Sequence, residues 1–274
     1  MNFINQLIRL PQKTLFVKKL LSSPLTVLSW LAIAALLIVF PPVISRVFGQ
    51  TSTTKVSIVA PANPTSSFIV GVVGGKLVTT QVNVSDLADS DGLAAFTFKV
   101  RYNPSQISVT DTDNNGVADT GSVTVGTFLG SSGKKVNCSI GYIDKDPTNT
   151  SLELLTFTCI TLNLSPAAPT GSGGLATITF KTGNTVSSGT LDLVNTGLAD
   201  NTSKPAAIAH TVVGATIQVA KCADTNGDGI VTSPDILYVV SKYRTSDPKA
   251  DLDGSGLVTS YDISIAVAQY RKTC

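Results

Sequence analysis

The 274-residue chain is poor in the residues that most enzymes use. It has one histidine, His210, and one glutamate, Glu153. His210 lies in the strand-like run AIAHTVVGATIQV and reads as a structural or edge residue, so a Ser-His-Asp arrangement around it is not expected. A paired-carboxylate glycosidase site would need aspartate pairs, and most aspartates fall in loops with another reading. No catalytic residue is therefore assigned. The single tryptophan, Trp30, sits in an apolar N-terminal run, which leaves Tyr102 and Tyr142 as the polar-tipped aromatics of the central region. A sugar platform that stacks pyranose rings would have little to work with. Charged residues are only 14% of the chain, which suits an all-β exported domain better than a helical cytosolic enzyme. Five of the 20 basic residues lie within residues 1–49, which carry no acid. The remainder holds 15 basic and 18 acidic residues, a net of −3, which excludes a basic nucleic-acid footprint. No cysteine precedes Cys138, and the even set of four favours two disulfides in an exported protein.

Residues 20–45 carry no charge, and 20–40 as a helix would span roughly 30 Å, the thickness of a bilayer core. Pro41-Pro42 stops such a helix. Lys13, Lys18 and Lys19 precede it, so 1–19 reads as a cytoplasmic lead and everything after the transmembrane helix as extracellular. The run is either a retained signal-anchor or a signal peptide, since Val47-Phe48-Gly49 offers a cleavage-like spacing. The protein is then membrane-anchored or secreted. Residues 46–55 read as a linker.

Residues 56–220 read as mainly β. Alternation is plain in KLVTTQVNVSDL, GLAAFTFKVRYNP, GGLATITFKTG and GTLDLVNTGLAD, with no helical period between them, which predicts an antiparallel β-sandwich. Phe96, Phe98, Phe157 and Phe180 are the expected interior. A hairpin around DKDPTNTS places Cys138 opposite Cys159 and Tyr142 opposite Leu155, which predicts the Cys138–Cys159 disulfide. The order of these four segments resembles the cohesin-like, carbohydrate-binding-module-like jelly-roll sandwiches of exported bacterial proteins. That resemblance implies either protein docking or polysaccharide binding.

Residues 221–274 hold an internal repeat. DTNGDGIVTSPDILYVVSKYR at 224–244 matches DLDGSGLVTSYDISIAVAQYR at 251–271 with an offset of 27. Calcium takes six to eight hard oxygens, supplied by alternate positions of a twelve-residue loop with glycine at the sixth. The first EF-hand-like loop offers Asp224, Asn226, Asp228, the Ile230 carbonyl, Thr232 and Asp235. The second offers Asp251, Asp253, Ser255, the Leu257 carbonyl, Thr259 and Asp262. Val231 and Val258 are expected to bridge the two loops. A short helix follows each loop, with stripes Ile236, Val240, Tyr243 and Ile263, Val267, Tyr270 expected to pack on each other. Cys222 and Cys274 bracket the module, and its two-fold relation predicts a Cys222–Cys274 clasp.

This segment resembles a type I dockerin: duplicated loop-helix units with aspartate at the twelfth position. The resemblance implies two bound Ca2+, a cohesin-like protein partner and a non-catalytic role in a cellulosome-like or cell-surface complex linked to polysaccharide use. The partner-binding positions it implies are Ser233, Pro234, Ser260 and Tyr261, with Leu237, Lys242, Arg244, Gln269, Arg271 and Lys272 adding to the face. Pro234 and Tyr261 depart from the paired Ser/Thr of the family. The alternative function is a polysaccharide-binding module with a dockerin tail, acting in polysaccharide catabolism. A third candidate calcium loop is DTDNNGVAD, with Asp111, Asp113, Asn115, the Val117 carbonyl and Asp119.

Overall fold

A computed structural model describes residues 53–274 apart from Ala62, Thr65, Asp89, Asp91 and Ile140. The cytoplasmic lead, the apolar run and all but the end of the linker lie outside the described residues. Among the described residues, no helix is long and apolar enough to cross a membrane.

Thirteen strands and two helices are described: β1 (Lys55–Val59), β2 (Phe68–Val72), β3 (Leu77–Leu87), β4 (Leu93–Tyr102), β5 (Ile107–Val109), β6 (Val123–Val125), β7 (Val136–Cys138), β8 (Tyr142–Asp146), β9 (Asn149–Thr161), β10 (Gly171–Thr182), β11 (Ser187–Asp200), β12 (Thr211–Val213), β13 (Ala215–Ala220), α1 (Ser233–Ser241) and α2 (Ser260–Ala268). The strands form two sheets. One runs β12-β1-β3-β10-β5 with β6 on β10; the other runs β2-β13-β11-β4-β9-β7 with β8 on β9.

Alternation drives the packing. In β4, Phe96, Phe98, Val100 and Tyr102 point inward while Thr97, Lys99 and Arg101 point outward. Phe98 lies opposite Phe157, and Phe96 opposite Cys159, in the β4–β9 ladder. Phe96, Phe98, Phe157 and Phe180 are all buried, and the first three rings lie within 6.2 Å of one another between centroids. A contiguous apolar interior of this kind is the main stabilising term for such a domain.

Three expectations need correction. The sandwich is not purely antiparallel: β1 pairs with β12, and β2 with β13, in parallel. Among the described residues, the first strand lies in one sheet and the second in the other, and each pairs with one of the last two strands. The Cys138–Cys159 disulfide forms with its cysteines in register, but Tyr142 faces Thr156, not Leu155. The ladder breaks between β7 and β8, and the extra residue there slips the register by one. Tyr102 is not available to a ligand: it is 1% exposed, its hydroxyl donates to Glu153 (2.9 Å), and its ring meets Phe180 edge-on. Burial, and then the neighbouring Glu153 carboxylate, pushes its phenol far above the ordinary range.

The 221–274 segment packs on one edge of the sandwich. Val70 of β2 and Ala220 of β13 join Val231, Val239, Leu252, Val258, Ile265 and Ala266 in one buried cluster. The Phe68 and Tyr261 rings lie 5.5 Å apart, and the Tyr261 hydroxyl donates to Gln218 (3.2 Å). The Cys222–Cys274 disulfide joins the ends of the segment. His210 bonds Thr196 and the Ile208 carbonyl, both at 2.8 Å, and pins the β11–β12 connection.

Candidate functional site

The two C-terminal loops share most of their internal wiring. In the first, the Asp224 carboxylate accepts from the N–H groups of Gly227 (2.7 Å), Asp228 (3.2 Å) and Gly229 (2.8 Å). In the second, Asp251 accepts from Ser255 (3.0 Å) and Gly256 (3.1 Å). The turn needs positive φ at two positions. Gly227 and Gly254 supply it at the fourth (79° and 71°), Gly229 and Gly256 at the sixth (92° and 89°). A side chain at the sixth position would be strained. The third position then accepts from the fifth: Asn226 from the Asp228 N–H (2.9 Å) and Asp253 from the Ser255 N–H (3.0 Å).

The aspartate at position twelve is the keystone of each unit. Asp235 is fully buried and accepts from the Thr225 and Asn226 N–H groups (2.8 and 3.1 Å), the Thr225 hydroxyl (3.0 Å) and the Thr232 N–H and hydroxyl (2.8 Å each). Burial alone would raise its pKa, but these donors, Thr232 first, outweigh it and hold the carboxyl well below the usual carboxylate range. Asp262 is equally buried and accepts from Leu252 (2.8 Å), Asp253 (3.2 Å) and Thr259 (2.7 Å) N–H groups and the Thr259 hydroxyl (3.1 Å). The carboxylate thus ties the start of the loop to the first turn of the helix, as a capping box does. Thr232 and Thr259, expected as ninth-position oxygens, serve as the helix N-caps.

Carboxylate oxygens, one each from Asp251, Asp253 and Asp262, lie within 4.8 Å of one another. Hard carboxylate oxygens converging this closely fit a divalent cation of the calcium type. The first loop has an amide, Asn226, where the second has Asp253, and a carboxylate, Asp228, where the second has Ser255.

The loop between β5 and β6 repeats this wiring. Asp111 accepts from the Asn115 (3.1 Å) and Gly116 (3.0 Å) N–H groups, and Asn115 accepts from Val117 (2.8 Å). Asn114 and Gly116 take positive φ (53° and 77°) at the fourth and sixth positions. Asp119 accepts from the Thr112 N–H (3.2 Å) and hydroxyl, the latch that position twelve provides in the other loops. Asp111, Asp113 and Asp119 converge within the same 4.8 Å.

The helix faces differ from the expected stripes. Asp262, Ala266 and Gln269 are all 0% exposed, whereas Val240, Tyr243, Val267 and Tyr270 face outward. The buried aspartate fixes the rotation of each helix, so its i, i+4, i+7 line points inward and the apolar stripe lies one residue away. Gln269 is accordingly not a partner-facing residue. Its amide accepts from the Ala223 N–H (2.8 Å) and donates to the Lys221 carbonyl (3.0 Å). Val231 and Val258 do not bridge each other. Val231 pairs with the backbone of Arg271 and Lys272, and Val258 with that of Arg244 and Thr245, so each loop is stitched to the segment after the other repeat's helix.

The other docking candidates divide by repeat. Ser233, Pro234, Leu237 and Arg244 are exposed, and Lys242 is half-buried beside Asp247 (3.7 Å). Ser260, Arg271 and Lys272 are exposed, but Tyr261 is half-buried against Phe68 of the sandwich. No local pattern pointed to this docking, or to the part played by Lys221 and Gln269. Tyr142 remains exposed, so one polar-tipped aromatic of the pair named for sugar stacking is at the surface.

No protein-family model matches the chain, and no curated protein matches it. Among solved structures, it is similar to a type II cohesin domain from the cellulosome of Acetivibrio cellulolyticus: 20% identity, 60% of this chain, 95% of that one, TM-score 0.42. It is similar to the seventh ScaB type I cohesin from Pseudobacteroides cellulosolvens at 18% identity over 62% of this chain and 93% of that one, TM-score 0.42. A non-cellulosomal cohesin from the archaeon Archaeoglobus fulgidus is similar at 11% identity over 61% of this chain and 90% of that one, TM-score 0.38.

Proposed function

We propose that the chain is a non-catalytic assembly protein outside the cell, anchored or exported through its N-terminal apolar run. Its C-terminal module is a dockerin-type unit that holds two calcium ions and docks on a cohesin-like domain of another protein. The observation that carries this reading is the shared wiring of the two loops, each closed by a buried aspartate at position twelve.

Asp224, Asn226, Asp228 and Asp235, with the Ile230 carbonyl, would hold one ion. Asp251, Asp253, Ser255 and Asp262, with the Leu257 carbonyl, would hold the other. The 111–119 loop is a third candidate of the same kind. Bound calcium supplies positive charge that offsets the crowded carboxylates and favours the closed loops. The chain's own residues do the rest: position one gathers the turn's N–H groups, and position twelve fixes the helix to the loop. The exposed Ser233, Pro234 and Leu237 then offer a surface to a partner. The sandwich, by the order of its four sequence segments, resembles domains that receive dockerins, so a dockerin on another chain is its proposed counterpart.

Retention of the full chain on immobilised cohesin and dockerin domains, with calcium or with a chelator, tests the reading. Retention that needs calcium is expected. Chelator-insensitive retention would contradict it, as would no retention together with retardation in a polysaccharide-containing gel, which would favour sugar binding.

A further inference from the structure

The second loop carries a cation of its own chain beside its first carboxylate. Lys221 follows directly on β13. Its ammonium donates to the carbonyl oxygens of Asp251 (2.7 Å) and Pro248 (3.1 Å) and stands 3.9 Å from Asp251 Oδ2. The lysine is also held by its backbone: its N–H donates to the Leu252 carbonyl (2.9 Å), and its carbonyl accepts from the buried Gln269 amide (3.0 Å). The Asp251 side chain is only 8% exposed, so this charge acts on a largely desolvated carboxylate. The repeat provides an internal comparison. The position equivalent to Lys221, 27 residues on, is Pro248, which has no charge to offer Asp224.

We propose that Lys221 is a positioning residue that makes the two cation sites unequal, holding the second loop in shape without a divalent ion and lowering that loop's affinity for one. The inference rests on the calcium reading above. A nearby ammonium stabilises the Asp251 carboxylate ahead of any divalent ion, and that ion must then enter against a like charge. Ser255, in place of a carboxylate at position five, acts in the same direction. The ammonium also joins the end of β13 to the loop, so the edge of the sandwich and the second loop respond together.

The test is calorimetric titration of the full chain in detergent with calcium chloride at low salt. It compares the unmodified chain with Lys221→Met, Lys221→Arg and, as a control away from the loops, Lys204→Met, at an exposed lysine between β11 and β12. Lys221→Met should tighten the weaker site about two- to fivefold, the range for a partly exposed ion pair. The tighter site should not change. Lys221→Arg and Lys204→Met should match the unmodified chain. In chelator, amide exchange at Leu252 and Ser255 should quicken in Lys221→Met but not in Lys204→Met. Unchanged or weaker calcium binding in Lys221→Met overturns the proposal, as does loss of protection throughout the module at saturating calcium, which would make Lys221 a residue of the fold alone. An unmodified chain that takes up no calcium overturns the calcium reading itself, whatever the variants do.

Discussion

Asp262→Ala should destabilise the C-terminal module by about 3–5 kcal/mol and abolish calcium uptake at the proposed second site, because several buried donors lose their acceptor at once. The carboxylate is fully buried and takes four hydrogen bonds, three from backbone N–H groups. Alanine leaves those donors without a partner and removes the second helix's capping box, itself worth about 1 kcal/mol. Asp253→Ala makes a useful contrast. Asp253 is half-buried, so its loss should weaken calcium binding with much less cost to the metal-free fold. Urea unfolding followed by helical circular dichroism, in chelator and in calcium, separates the two effects. An Asp262→Ala chain that melts like the unmodified one in chelator and still gains stability from calcium would show that the latch is dispensable.

The second large effect concerns the Cys222–Cys274 clasp. The module buries few apolar residues, and the disulfide joins positions 52 apart. On the chain-entropy account, such a closure is worth up to about 4 kcal/mol, against about 3 kcal/mol for Cys138–Cys159 with its separation of 21. The sandwich has a far larger core to fall back on. The double variant Cys222→Ser, Cys274→Ser should therefore melt its module first, well below the sandwich, while the double variant Cys138→Ser, Cys159→Ser should leave the module unchanged. Thermal unfolding read by amide exchange in each region distinguishes them. Equal losses in both regions would mean that module and sandwich unfold as one unit.

The parts of the structure legible in the sequence are those set by local pattern. Period-two alternation located β3, β4, β10 and β11 and pointed Phe96 and Phe98 into the core. The glycines at the sixth loop positions followed from the positive φ that the turn requires. Features that depend on long-range fitting were not legible. Period alone could not show that Asp235 and Asp262 would rotate their helices by one residue, since a buried carboxylate seldom defines an inward face. The one-residue slip at Tyr142 came from a ladder break between Cys138 and Tyr142, marked in the sequence only by Gly141. Docking of Tyr261 on Phe68 joins residues from opposite ends of the described chain, and only the fold brings them together. The parallel edge pairs have the same origin.

Hydrogen–deuterium exchange of the full chain in calcium and in chelator tests the central claim most directly. On the central claim, amides across 224–244 and 251–271 exchange slowly with calcium and faster without it, with the smaller change around Asp251 where Lys221 stands close, while β4 and β9 stay protected in both. Equal protection of the two loop–helix units in chelator and in calcium would contradict it.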